Sequence, residues 1–182
     1  GFYRDVVLLD VASMHPTSIE QLNLFGVYTE RFSDLKKARM AIKHKDFETA
    51  RSLLDGKLGK FLDDIESADA LSYALKIVIN IVYGLTSAKF DNPFNDKRNV
   101  DNIVAKRGAL FMIDLKHAVQ NRGFSVCHIK TDSIKIPGAN SEIIDFVIDF
   151  GKKYGYDFEV EGTYDKFCLV NQAVYVAHDD EH

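Results

Sequence analysis

An unbroken apolar run, Val6-Val7-Leu8-Leu9, ends at Asp10, and a second aspartate, Asp132, sits in a two-residue connection between strand-like segments far along the chain. Four apolar residues without polar alternation read as a buried strand. Asp10 then lies at the strand's exit, where a side chain can face a cleft. If the two acids meet on adjacent strands, they make a carboxylate pair. Mg²⁺ is hard and prefers oxygen, so such a pair suits two-metal phosphoryl transfer. Spacing alone does not join them, and either aspartate read singly serves a strand end or a turn equally well.

The segments between are helical. Pro16 falls in the first turn of a short helix, a position Pro tolerates. Ser33 or Asp34 caps a helix running to about His44, and a second covers Phe47 to Leu54 before Gly56 and Gly59 interrupt the pattern. Ser67 caps a long helix to about Ser87, with Leu71, Ala74, Leu75, Val78, Ile79 and Val82 at helical spacing. Asp91 to Asp96 is a loop, and another helix runs from about Val100 to Asn121, stopped by Gly123. The period then changes. Phe124–Ile129 and Ser133–Ile136 flank Thr131-Asp132 as a hairpin. Glu142–Tyr154 is helical, and Phe158–Glu161, Phe167–Asn171 and Val174–Ala177 read as three short strands. The expected fold class is α+β: an antiparallel sheet backed by two helices, with a helical insertion at about 30–86.

At 182 residues and 46% hydrophobic content, a single compact domain with a sizeable core is expected. No uninterrupted run of eighteen apolar residues occurs, so no membrane span is expected. Cys127 and Cys168 sit in apolar runs without metal-ligand spacing, which fits a reducing, cytoplasmic setting. The net charge of −4 is unevenly spread: residues 31–60 carry nine Lys/Arg against four acids, and 131–182 carry four against eleven. That distribution suits local phosphate handling and metal binding elsewhere. No zinc-type His spacing, Walker-type glycine loop or G-x-S-x-G context is present.

Lys76 and Asn80 share one helix face, near Tyr83 and Gly84 and distinct from the apolar face. Arg39 and Lys43 form a second such pair. Each reads equally as a solvated polar stripe or a phosphate clamp, in which Arg offers a fork and Lys a point charge. If the two helices pack antiparallel, Arg39, Lys43 and Lys76 can converge on one triphosphate.

Three stretches together carry a resemblance. Asp10 to Ile19 resembles the D-x-x-S-L-Y-P-S-I-I motif of family B DNA polymerases, Lys76 to Gly84 their K-x-x-x-N-S-x-Y-G motif, and Lys130 to Ser133 the end of Y-G-D-T-D-S. Arg39-x-x-x-Lys43 resembles the basic pair on the other fingers helix, and Asn171 to Tyr175 falls where the family has its K-x-Y strand. The resemblance spans nearly the whole chain and is closest to compact, phage-like members. It implies a palm in two parts, 1–30 and 87–182, around helical fingers at 31–86. Exonuclease and thumb domains would lie outside this chain.

The implied activity is DNA-directed DNA polymerisation, with primer-template DNA and dNTPs as partners, two Mg²⁺ ions (Mn²⁺ able to substitute) as cofactors, and no membrane. By the resemblance, Asp10 and Asp132 bind the metals, helped by the Val11 carbonyl. Ser13, Met14, His15, Arg39, Lys43, Lys76, Asn80 and Tyr83 hold the nucleotide, with His15 beneath the sugar where the family has tyrosine. Gly84, Thr131 and Tyr175 contact DNA, and Glu161 matches an acid near the site. Lys130 replaces an aspartate, Ile81 the usual serine, and Ala173 the K-x-Y lysine. These departures leave a second reading, a catalytically incomplete remnant that binds nucleic acid or nucleotide without turnover.

Overall fold

The computed structural model describes residues 1–179. By packing, the chain divides into two compact units: a sheet unit of Gly1–Met14 with Ala105 onward, and a helical unit of His15–Val104. Segments 15–30 and 87–104 therefore pack with the helices, outside the 31–86 insertion expected from sequence.

The sheet unit begins with β1 (Phe2–Val11). After α5 (Ile103–Asn121), whose first two residues fall in the helical unit, come β2 (His128–Ile129), β3 (Ser133–Pro137), α6 (Ser141–Lys153), β4 (Phe158–Leu169) and β5 (Tyr175–His178). The strands order as β2-β3-β1-β4-β5, with every neighbouring pair antiparallel. β1 is central, as its apolar run requires. Alternation along a strand sends Val7, Leu9 and Val11 to one face. There they join Ile134, Ile136 and Phe158 against Phe111, Leu115 and Val119 of α5 and Ile143 and Val147 of α6. Val6 faces the other way, with Cys127 and Phe167.

β2 and β5 are opposite edges of the sheet, yet His128 Nε2 donates to the Gln172 carbonyl at 2.9 Å and the His128 and Tyr175 rings lie 5.9 Å apart. The sheet is therefore curled into a half-barrel, with the Val6 face concave. A bulge aids the curl: Leu8 pairs with Gly162 but Leu9 with Val160, leaving Glu161 as the extra residue on β4.

Three sequence expectations change here. The strands foreseen at Phe158–Glu161 and Phe167–Asn171 are one twelve-residue strand, β4. Only His128–Ile129 of the segment 124–129 is strand. The helix expected from Val100 is a 3-10 turn, Lys97–Asp101, then Asn102 in the left-handed conformation, then α5.

In the helical unit, α1 (Met14–Gln21) is followed by α2 (Thr29–Lys43), α3 (Phe47–Ser52) and α4 (Ile65–Thr86). α2 starts four residues before the expected Ser33 cap. α3 ends at Ser52 because Leu53 is extended. α4 is capped by Asp64, whose carboxylate accepts from the Ser67 N–H at 2.8 Å. Ser67 is thus inside the first turn and is not the cap. Ala38, Ala41 and Ile42 late in α2 cluster with Ala68 and Leu75, while Phe32 early in α2 clusters with Ile79 and Val82. The two helices therefore run antiparallel. The partly buried Lys36 of α2 ties back to α1 through an ion pair with Glu20 and a 3.3 Å bond to Thr17.

α4 is long and apolar enough to cross a membrane by length and composition, and little of it is buried. The criterion of uninterrupted apolar runs misses this helix because Lys76 and Asn80 lie within it. Its buried apolar residues, Ala68, Leu75 and Ile79, pack in the clusters shared with α2, while Tyr73, Ile77, Val78 and Ile81 are exposed.

Two glycines of the sheet unit differ in what a methyl group would meet. At Gly151 a Cβ would stand 2.7 Å from both the Phe158 ring and the Tyr156 carbonyl. At Gly108 it would stand 2.9 Å from the Met14 sulfur, the end of a flexible side chain. Gly151→Ala is expected to cost about 1–2 kcal/mol by overpacking, and Gly108→Ala less than about 1 kcal/mol, because the helix-propensity gain offsets a small shift. Urea denaturation of the two variants checks the ranking.

Candidate functional site

β1 carries Asp10 one residue before the strand's end. Asp10 stands opposite Ser133 of β3 on one side and Glu159 of β4 on the other. Counting by two from Val6 and Leu8 puts Asp10 on the concave face. The hairpin closes as expected: Lys130 N–H donates to the Ser133 carbonyl at 2.9 Å, with Thr131-Asp132 as the loop. The Val11 N–H donates to the Asp132 carbonyl at 2.7 Å. That bond ties the hairpin tip to β1 immediately beside Asp10. Two aspartates far apart in sequence are therefore neighbours at the same end of adjacent strands, both half-buried.

Sequence reasoning missed the acid opposite Asp10. Glu161, the acid singled out from the resemblance, is the bulged residue, whereas Glu159 is the direct cross-strand partner. Directly opposed side chains share a face, with Cβ atoms about 4.5–5.5 Å apart. Only the register could have revealed it. Glu161 instead lines a cavity of about 600 Å³ with Asp5, Asp165 and Asp179.

The concave face also holds Lys135, opposite Leu8 and only 1% exposed. Its Nζ donates to His128 Nδ1 at 3.3 Å and lies 4.8 Å from the Tyr175 ring centroid. Burial, then the charge of Lys130, push its pKa below the usual lysine range, while Asp10 and Asp132 push it back up. Tyr175 is thus engaged: its ring also packs 4.9 Å from Phe167 and receives Lys130 Nζ at 5.3 Å. Ala173 sits in the tight turn before it, where Asn171 Oδ1 accepts from the Ala173 and Val174 N–H groups at 2.9 Å. Cys127, beneath this face, has its thiol pKa pushed up to about 11 by burial. Thr131 is exposed at the hairpin tip.

Ser13 turns the chain from β1 into α1 with φ +56, a left-handed backbone costly for a residue with a side chain. Met14, the last residue of the sheet unit, is buried in its core. In the helical unit, His15 stacks flat on Tyr83, with centroids 4.6 Å apart and planes within 4°. Burial raises the Tyr83 pKa. Lys76, Asn80 and Gly84 are exposed along α4, while Lys43 is exposed and Arg39 half-buried on α2. The antiparallel pairing sets Arg39 at roughly the level of Leu75 and Lys76. The chain thus brings Asp10 and Asp132 together in one unit and stacks His15 on Tyr83 in the other, while Arg39 and Lys76 stand on separate, antiparallel helices.

Among the described residues, no three His, Cys, Asp or Glu side chains form a ready metal cage. Mg²⁺ does not require one: it is commonly held by one or two carboxylates, with waters and substrate phosphates completing the octahedron. The adjacent Asp10 and Asp132, with the Val11 carbonyl, fit one such ion.

No family model and no curated protein matches this chain. Among solved structures, it is similar to the family B DNA polymerase from the hyperthermophilic archaeon Pyrobaculum calidifontis, with a TM-score of 0.65 and 17% identity over 97% of this chain. The likeness is one of fold. The match covers 26% of that larger polymerase. A likeness at this identity speaks for the fold, a curled palm-type sheet backed by helices, and for that alone.

Burying an ammonium in this curled sheet costs stability. Lys135→Met is expected to raise stability at neutral pH by about 1–2 kcal/mol. The sign with pH follows from the lowered pKa: between the folded and unfolded lysine values the unfolded chain binds more protons, so wild-type stability rises with pH there. The advantage of the methionine variant should therefore shrink as pH rises toward 10.5, the lysine's ordinary value. Chemical denaturation at neutral and alkaline pH measures both.

Proposed function

We propose that the chain is the catalytic core of a DNA-directed DNA polymerase, adding deoxynucleotides to a primer 3′ end. What supports this reading is the adjacency of Asp10 and Asp132 across β1 and the hairpin, in a fold shared with a DNA polymerase over nearly the whole chain. In the reaction, the primer 3′ oxygen bonds to the α-phosphorus, the bond from that phosphorus to the bridging oxygen breaks, and pyrophosphate leaves. The hydroxyl proton passes to water. A divalent ion held by Asp10, Asp132 and the Val11 carbonyl would supply Lewis-acid stabilisation when bound.

The sheet unit's share is to offer those oxygens from β1 and from the hairpin loop tied to it, so that little reorganisation is needed as charge develops. Thr131, exposed at the hairpin tip, would meet the primer end. The helical unit's share is the incoming nucleotide. Arg39, Lys43 and Lys76 neutralise the triphosphate, Asn80 and Tyr83 line the nascent base pair, and Gly84 contacts DNA. His15, held flat by Tyr83, sits beneath the sugar. With Ser13 and Met14 it continues the segment that starts at Asp10.

A second reading, nucleotide or nucleic-acid binding without turnover, is favoured by one observation: Lys130 brings positive charge to the hairpin beside Asp132. Primer extension separates the two. Asp10→Asn and Asp132→Asn should each lower incorporation by about 10²–10³ or more, the scale of losing one stabiliser of developing charge, with the circular dichroism spectrum unchanged. A wild-type chain that binds a dNTP in a metal-dependent way but never extends a primer would favour the second reading. His15→Tyr should sharpen rejection of ribonucleotides. An unchanged dNTP/rNTP ratio would remove His15 from the sugar pocket.

A further inference from the structure

Two ammonium groups share one aromatic ring on the concave face. Lys135 Nζ lies 4.8 Å and Lys130 Nζ 5.3 Å from the Tyr175 centroid, within the range of a cation–π contact. Lys135 is fixed there. His128 Nε2 donates to the Gln172 carbonyl, which leaves Nδ1 as the acceptor for the Lys135 ammonium. Lys130 is exposed, but its backbone is pinned by the hairpin bond to Ser133. Among the described residues, strand pairing and the hairpin bond place Asp10, Asp132 and Glu159 at this end of the sheet unit. Lys135 lies within electrostatic reach of Asp10, Asp132 and Lys130. The two ammoniums offset the two charges of the Asp10–Asp132 pair, which leaves that pair little to balance two divalent cations.

We propose that the Lys130–Tyr175–Lys135 stack is a standing positive charge that restricts the Asp10–Asp132 pair to one weakly held divalent cation. The inference rests on the carboxylate pair proposed above as the metal site. It makes Lys130 and Lys135 positioning residues that act through the carboxylates. Tyr175 holds both ammoniums in register.

The direct test is Mn²⁺ binding to the full chain, followed by electron paramagnetic resonance and calorimetry with Mn²⁺ alone as the probe. The wild type should bind one Mn²⁺, lost in Asp10→Asn. Lys135→Met should bind it about tenfold more tightly, because a like charge within electrostatic reach of both carboxylates is removed. Lys135→Arg should keep the wild-type affinity. Lys130→Asp should admit a second ion. A merely structural role predicts the opposite sign for Lys135→Met, since a damaged site binds metal less well. Should Lys135→Met fail to fold, Lys130→Gln, at an exposed position, carries the same expectation of tighter binding. Two ions in the wild type, or unchanged or weaker affinity in the neutralised variants, would overturn the inference while leaving the catalytic reading standing. No Mn²⁺ bound by the wild type, or binding unaffected by Asp10→Asn, would instead remove the metal site itself.

Discussion

The 2.7 Å bond from the Val11 N–H to the Asp132 carbonyl is the constraint on which the site depends. It closes the end of the β1–β3 ladder and sets Asp132 beside Asp10. Without it, the hairpin tip would be an ordinary exposed turn. The ladder is itself held by burial: Leu9, Ile134 and Ile136 are fully excluded from water between the sheet and its two covering helices. A one-residue slip would turn these side chains to the concave face and send Asp10 into the core. The same apolar pattern that builds the core therefore aims the carboxylate.

The concave face shows the opposite economy. It is lined by Tyr3, Tyr164, Phe167 and Tyr175, and into this apolar setting the chain places a lysine. An ammonium there is tolerated because it meets a histidine lone pair and an aromatic face. The edges of the sheet meet through His128 and Gln172, so curling the sheet and burying Lys135 are one event.

Much of this was legible in the sequence, for physical reasons that can be named. The central strand, the Thr131-Asp132 hairpin and α6 follow from apolar runs, loop length and period. The unity of β4 was hidden because Gly162 and the polar Asp165-Lys166 interrupt the apolar pattern, and a bulge shifts its phase at Glu161. The start of α4 was misjudged because Asp64 and Ser67 compete as caps, and that of α2 because it begins after Tyr28 with no side-chain cap for a sequence pattern to show. Glu159 could not be found, since cross-strand register leaves no trace in spacing. Lys135 was passed over because a lone lysine in a strand ordinarily reaches solvent. Folding, not composition, decides that it does not.

The central claim is that Asp10 and Asp132 jointly form the cation site. Line broadening of backbone amide signals by substoichiometric Mn²⁺ tests it most directly. The amides of Val11, Thr131, Asp132 and Ser133 should broaden first. If those signals stay sharp while amides around Asp5 and Asp165, in the acidic cavity lined by Glu161, broaden instead, the carboxylate pair is not the metal site and the polymerase-type chemistry assigned to it fails.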